Sequence, residues 1–165
     1  MSILAQDKND GFAVARLKLP GKDYFADVPD GTYNAKFIGV EGHRFFAYPK
    51  VCCWFEIESA AIEGPKMVAR YFNVNTLIGT LPKSGRRRNP EFEVGAKSAL
   101  AREIAQLFPG KFSPFKLPSR IPTVPDNLIS IVVKKSIFDR DGDELATEFR
   151  ESRVKKILGW AEVKD

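Results

Sequence analysis

Histidine is almost absent from this chain: His43 is the only one among 165 residues. A histidine-based catalytic triad or a multi-histidine metal site is therefore excluded within one chain. Cysteine is nearly as scarce. Cys52 and Cys53 are the only two, and they are adjacent. Neighbours on a strand point to opposite faces, so a mutual disulfide is not expected, and with no second pair a zinc ribbon cannot form. Both read as ordinary strand residues, with a reducing, cytoplasmic compartment as the default. No apolar run approaches the ~18 residues of a membrane span. The first eleven residues carry Asp7, Lys8 and Asp10 and lack the apolar stretch of a secretory signal.

Catalytic motifs are missing as well. The stretch from Gly79 to Arg86 comes near a phosphate loop, but five residues separate the glycines and Arg86 stands where the lysine is required. The stretch from Asp139 to Glu144 comes near a calcium loop, but its glycine falls at the fourth position rather than the sixth. Turn chemistry at Asp141-Gly142 explains that segment better. No nucleophile elbow occurs. The expectation is a protein that is not an enzyme, with no catalytic residues, no metal and no cofactor.

What is present is the composition of a globular domain: 44% hydrophobic, 28% charged, and thirteen phenylalanines. A chain of this length buries roughly two-thirds of its unfolded surface without staples. One domain over residues 1–165 is expected, with an N-terminal extension at 1–30, a core at 31–158 and a basic loop at 75–93. The net charge of +5 is unevenly spread. Residues 83–120 hold nine basic side chains against Glu91, Glu93 and Glu103, which accounts for the whole excess. Concentrated positive charge points to an anionic partner.

Periodicity supplies the elements. Residues 12–19 suit a short strand. Residues 32–40 alternate, with Tyr33, Ala35 and Phe37 on one face. Residues 51–58 alternate more cleanly: Val51, Cys53, Phe55 and Ile57 face one way, Cys52, Trp54, Glu56 and Glu58 the other. A third strand follows at 66–74. Residues 77–90 read as a loop, and residues 94–108 as a helix with Leu100, Ile104, Leu107 and Phe108 as its stripe, ended by Pro109-Gly110. Four prolines mark 111–126 as irregular. Residues 127–138 and 145–158 form a closing hairpin. The expected fold is mainly β with one helix. Three strands, a helix and a two-strand hairpin match the OB-fold, a five-stranded partly open barrel; the alternative is an α+β sheet with one packed helix.

Three features suit binding. The connection between the first two strands interleaves Phe45, Phe46 and Tyr48 with Arg44 and Lys50. Single-stranded nucleic acid offers apolar base faces joined by phosphates, so a reader of it needs flat rings beside cations. The other reading is that Phe45 and Phe46 fold back into the core. Trp54 shares its face with Glu56 and Glu58, which suits an exposed sheet surface; the other reading is a covering by the N-terminal segment or the helix. The third feature is Lys83, Arg86, Arg87 and Arg88 in a Gly- and Pro-bounded loop, where nearby acids are too few to pair them all. One feature opposes this reading: the hairpin tip from Asp139 to Glu144 carries four acids and one Arg.

The segments Gly31-Thr32-Tyr33-Asn34-Ala35-Lys36, Cys53-Trp54-Phe55-Glu56-Ile57 and Tyr71-Phe72-Asn73-Val74, with the hairpin at 129–157, resemble the small OB-fold single-stranded-DNA-binding proteins of phages and mobile elements. The resemblance spans about residues 30–158 and carries over no invariant residue. It implies binding of displaced strands, DNA foremost, during replication, repair or transfer. The rival expectation is a protein-interaction or inhibitor module of a phage or mobile element. It would act on a nucleic-acid-bound machine, with the arginines docked on an acidic protein surface.

Overall fold

A computed structural model of the protein describes residues 19–20, 25–45, 48–59, 62–138 and 141–161, with backbone alone for Phe45 and Phe149. The strand expected at 12–19 lies outside the described residues except for Leu19, which is buried.

The alternating segments become strands β1 (Gly31–Phe45), β2 (Tyr48–Ile57) and β3 (Lys66–Asn73). Three short strands follow: β4 (Thr76–Leu77), β5 (Arg86–Arg88) and β6 (Phe92–Glu93). Helix α1 (Ala99–Leu107) precedes β7 (Leu128–Lys135) and β8 (Ser152–Trp160). The main sheet is antiparallel and six-stranded, with five strands in the order β3-β2-β1-β7-β8 and β5 attached to β1. The long central β1 makes this possible. One edge pairs with β2, while the other is shared between β7 at residues 31–36 and β5 at residues 41–43. The described residues are thus mainly β with one α-helix.

The sheet curls without closing into a barrel. Its terminal strands β3 and β8 lie against each other, yet among the described residues no ladder joins them. Helix α1 packs on both. It starts at Ser98, whose Oγ accepts a hydrogen bond from Ala101 N, and buries Leu100, Ala101, Glu103, Ile104 and Leu107 at the 3–4 spacing of one face. It is shorter than expected, because residues 94–98 lead into the cap instead of continuing the spiral. The inward residues Val51, Cys53, Phe55 and Ile57 of β2 join Phe72, Ile104, Ile129, Ile131 and Ile157 in the main core. Burying such side chains contributes roughly 1.5–3 kcal/mol each.

Several boundaries differ from expectation. The basic loop at 75–93 is largely paired: β4 with β6, and β5 with Glu41–His43 of β1. Residues 41–45 belong to β1 rather than to a loop, since Glu41 and His43 are buried there. Gly42 in that stretch is closely packed: a Cβ there would lie 3.0 Å from Pro90 Cβ and 3.2 Å from Leu77 Cδ2, so those side chains would have to shift by a few tenths of an ångström. β8 begins at Ser152, and a 3₁₀ turn at Thr147–Phe149 precedes it. Residues 26–28 are part of the folded body. Ser152 Oγ donates to Val28 O and accepts from Val28 N, and Ser152 N donates to Ala26 O. Among the described residues no helix is long and apolar enough to cross a membrane.

Candidate nucleic-acid interface

The outer face of β1, β2 and β3 carries a second, smaller cluster: Leu19, Ile38, Cys52, Trp54 and Ala69, with Met67 and Tyr71 against it. Trp54, expected on an exposed surface, is 3% exposed. Leu19 of the N-terminal segment helps to cover it, and its Nε1 donates to Glu41 Oε1 at 3.0 Å. An indole buried this way is an anchor, not a stacking platform. Trp54 therefore leaves the set of candidate binding residues.

Glu41 organises the polar part of this face. It is 3% exposed. Its Oε2 accepts from Arg86 Nε at 2.9 Å and lies 2.6 Å from Arg86 Nη2. His43 Nε2 is 3.5 Å from Glu41 Oε1. Arg86 Nη2 also donates to Pro20 O at 2.6 Å. The sequence places Arg86 in a loop whose nearby acids are too few to pair all its cations; here it is a structural cation, because β5 lies beside β1 and sets it against a buried acid. Burial pushes the Glu41 pKa up, but hydrogen bonds from His43, Arg86 and Trp54, with the Arg86 charge, outweigh it and leave the group at about 2.

The sign of the linkage follows. A carboxylate depressed from 4.5 to about 2 contributes stability above pH 4.5, and that contribution fades as pH falls through about 2. We expect a loss of roughly 3 kcal/mol over that interval. Glu41→Gln should flatten the acid limb of a denaturation series. An unchanged acid limb would remove Glu41 as its source.

The remaining expected site residues separate. Arg44, Lys83, Arg87 and Arg88 are exposed. Arg87 Nη1 donates to Thr80 O at 3.2 Å. Tyr48 is 62% exposed at the start of β2. Lys50 donates to Asn73 Oδ1. Burial, and after it the charge of Arg153, holds the Lys50 pKa below the usual lysine value. Ladder register sets Arg86, His43, Lys50 and Asn73 in one row across β5, β1, β2 and β3. The Phe45 backbone pairs with Tyr48; its side chain and Phe46 lie outside the described residues.

Beyond Asn73, past the β3 edge, lies a groove absent from the expected set. It has a volume of ≈ 430 Å³ and is lined by Arg70, Tyr71, Lys134, Phe138, Arg153 and Lys155, among others. Phe138 is 59% exposed, and neighbouring Ile137 is also exposed. The Arg153 guanidinium sits 4.9 Å from the centre of the Tyr71 ring. Burial raises the Tyr71 pKa, so the phenol stays neutral. Arg153 is shared with Glu151 and Lys135 with Asp27. Lys134 and Lys155 are exposed, and among the described residues no ion pair engages either. The groove thus combines rings with uncompensated cations. Of the acids that oppose phosphate binding, Asp139 lies outside the described residues, and Asp141 and Asp143 lie at the hairpin tip; Glu144 is the bridge partner of Phe138 and pairs with Arg150 at 3.0 Å.

Among the described residues no group of three or more His, Cys, Asp or Glu could hold a metal ion. Cys52 and Cys53 are fully buried, and burial pushes the Cys53 thiol up to about 12. Against known proteins the chain stands apart: no family model, no curated protein and no solved structure matches it.

Proposed function

We propose that the protein binds single-stranded nucleic acid, DNA foremost, along the groove between β3 and the base of the β7–β8 hairpin. The observation that carries the reading is the juxtaposition of Tyr71 and exposed Phe138 with Lys134, Arg153 and Lys155. Bases stack on rings, and phosphates are neutralised by the adjacent cations. The row through Lys50, with Tyr48 on the same face of β2, extends the surface toward Arg88, which shares the Arg86 face of β5, whereas Arg87 belongs to the other face. The element order supports an OB-like reading, in which the second and third strands and the two hairpins form the binding face. Two buried free cysteines suit the cytoplasm, where displaced strands arise in replication, repair or transfer.

The test is anisotropy of a labelled oligodeoxythymidine at two salt concentrations, against a duplex of the same length. Affinity should fall with salt, and the single strand should be preferred because stacking needs open base faces. Phe138→Ala should cost about 1–3 kcal/mol of binding, the scale of one lost stack, with thermal stability unchanged. No measurable affinity at low salt would end this reading.

One observation favours a protein-interaction role instead. Phe115 is 99% exposed. It sits in a turn where Ser113 and Lys116 exchange backbone hydrogen bonds and Ser113 Oγ accepts from Phe115 N. A rigid apolar side chain between Lys111 and Lys116 suits an apolar pocket with an acidic rim. Under that reading Phe115→Ala, not Phe138→Ala, is the variant that loses function.

A further inference from the structure

The strands at the two ends of the sheet order, β3 and β8, face each other without a ladder, and the groove lies along that seam. Arg153 of β8 stacks on Tyr71 of β3 across it, and a carboxylate from the helix ties it by hydrogen bonds. Glu103, on α1 and 6% exposed, receives Arg70 Nε at 3.0 Å and Ile157 N at 2.8 Å on Oε1, and Arg70 Nη2 at 2.5 Å on Oε2. Arg70 belongs to β3 and Ile157 to β8. A single carboxylate thus satisfies an outward N–H of one edge strand and the guanidinium of the other, and it does so from the helix. The Arg70 guanidinium also lies 4.5 Å from the centre of the Phe72 ring, so it is held on two sides.

We infer that Glu103 is a positioning residue that fixes the separation of β3 from β8 and thereby the width of the groove. Tyr71 and Arg70 form one wall, and Arg153 and Lys155 the other; Glu103 ties the strands that carry them. Arg70 is consumed by this tie. It shapes the groove without lending its charge to a ligand, which leaves Lys134 and Lys155 as the cations open to phosphate. A ladder would hold the seam at the fixed spacing of about 4.8 Å between paired strands. A side-chain tie holds it at the reach of a glutamate, which leaves room for a ligand. The geometry stands by itself; its consequence for binding rests on the nucleic-acid reading above.

The sign of the effect separates this role from plain electrostatics. Removing a negative charge beside a basic groove would by itself tighten binding to a polyanion. Loss of positioning weakens it. In the full chain, Glu103→Ala, which leaves no side-chain acceptor for the Ile157 amide, should speed its hydrogen exchange at least tenfold. It should also weaken binding of labelled oligodeoxythymidine about tenfold, with the salt slope unchanged because no phosphate contact is lost. Arg70→Lys, which keeps both charges but replaces a forked donor by a point charge, should behave alike. It carries the same two readouts if Glu103→Ala does not fold. Tighter binding, or unchanged exchange at Ile157, overturns the inference. If the wild-type protein binds no oligonucleotide, the functional reading falls, while the exchange experiment still decides whether Glu103 ties the seam.

Discussion

Replacing Arg86 by Ala is expected to lower folding stability by about 3–5 kcal/mol, the penalty for leaving a buried charge without its partner. Glu41 would remain almost fully enclosed, facing Trp54 and His43 with no cation on Oε2. Adding Glu41→Gln to Arg86→Ala should recover part of the loss, because no charge is then buried, while the amide oxygen can still accept from Trp54 Nε1. Urea denaturation of the two variants checks this; a double variant no more stable than Arg86→Ala would contradict it. Arg87 and Arg88 should act differently. Both are exposed. Converting them to Ala should spare stability and make the log–log salt slope for single strands shallower by about 1.4, if each meets one phosphate. That outcome would divide adjacent arginines of one short strand between holding the fold and meeting a ligand.

The largest expected effect on binding is at the hairpin base. Lys134→Glu with Lys155→Glu should weaken single-strand binding about a thousandfold, roughly 4 kcal/mol. Under the proposed reading, two attractions to phosphate become repulsions. Both lysines are exposed, so the melting temperature should hardly move. The matched control is reversal of two lysines away from the groove, Lys97 and Lys116, which are also exposed. If the control loses as much as the groove variant, binding follows net charge and the groove has no special part. If neither loses affinity, the strand lies elsewhere on the protein.

The strands were legible because alternation is a local property. Val51, Cys53, Phe55 and Ile57 declare their face within eight residues, and all four are buried. The helix was legible for the same reason, through Leu100, Ile104 and Leu107. Trp54 misled because its strand neighbours Glu56 and Glu58 suggested a wet face, whereas its cover comes from Leu19 and its hydrogen-bond partner from Glu41. Arg86 misled because its acid lies on another strand, Glu41, and local charge counting cannot see across a ladder. The groove was invisible for a related reason. Tyr71 lies on β3 and Phe138 beyond β7, so the rings and cations meet only once the sheet has curled. One clue was present: Arg153 and Lys155 alternate with buried Val154, marking a basic outer face on β8.

The topology also has a consequence for how the chain emerges during synthesis. β1 finds β2 at once through a short hairpin, and β3 adds to it. The other edge of β1 waits, because Gly31 pairs with Val133 and Lys36 with Leu128. Until β7 leaves the ribosome, the N-terminal half of that edge presents unpaired backbone and the inward side chains of the meander lack their lid. Such an intermediate is sticky and long-lived by the standard of local folds. Stalled chains that end before residue 128 should therefore be digested readily by protease and held by chaperones, whereas chains extended past residue 161 should become resistant in one step. Gradual resistance, growing with each strand released, would show instead that the meander stands without its second edge.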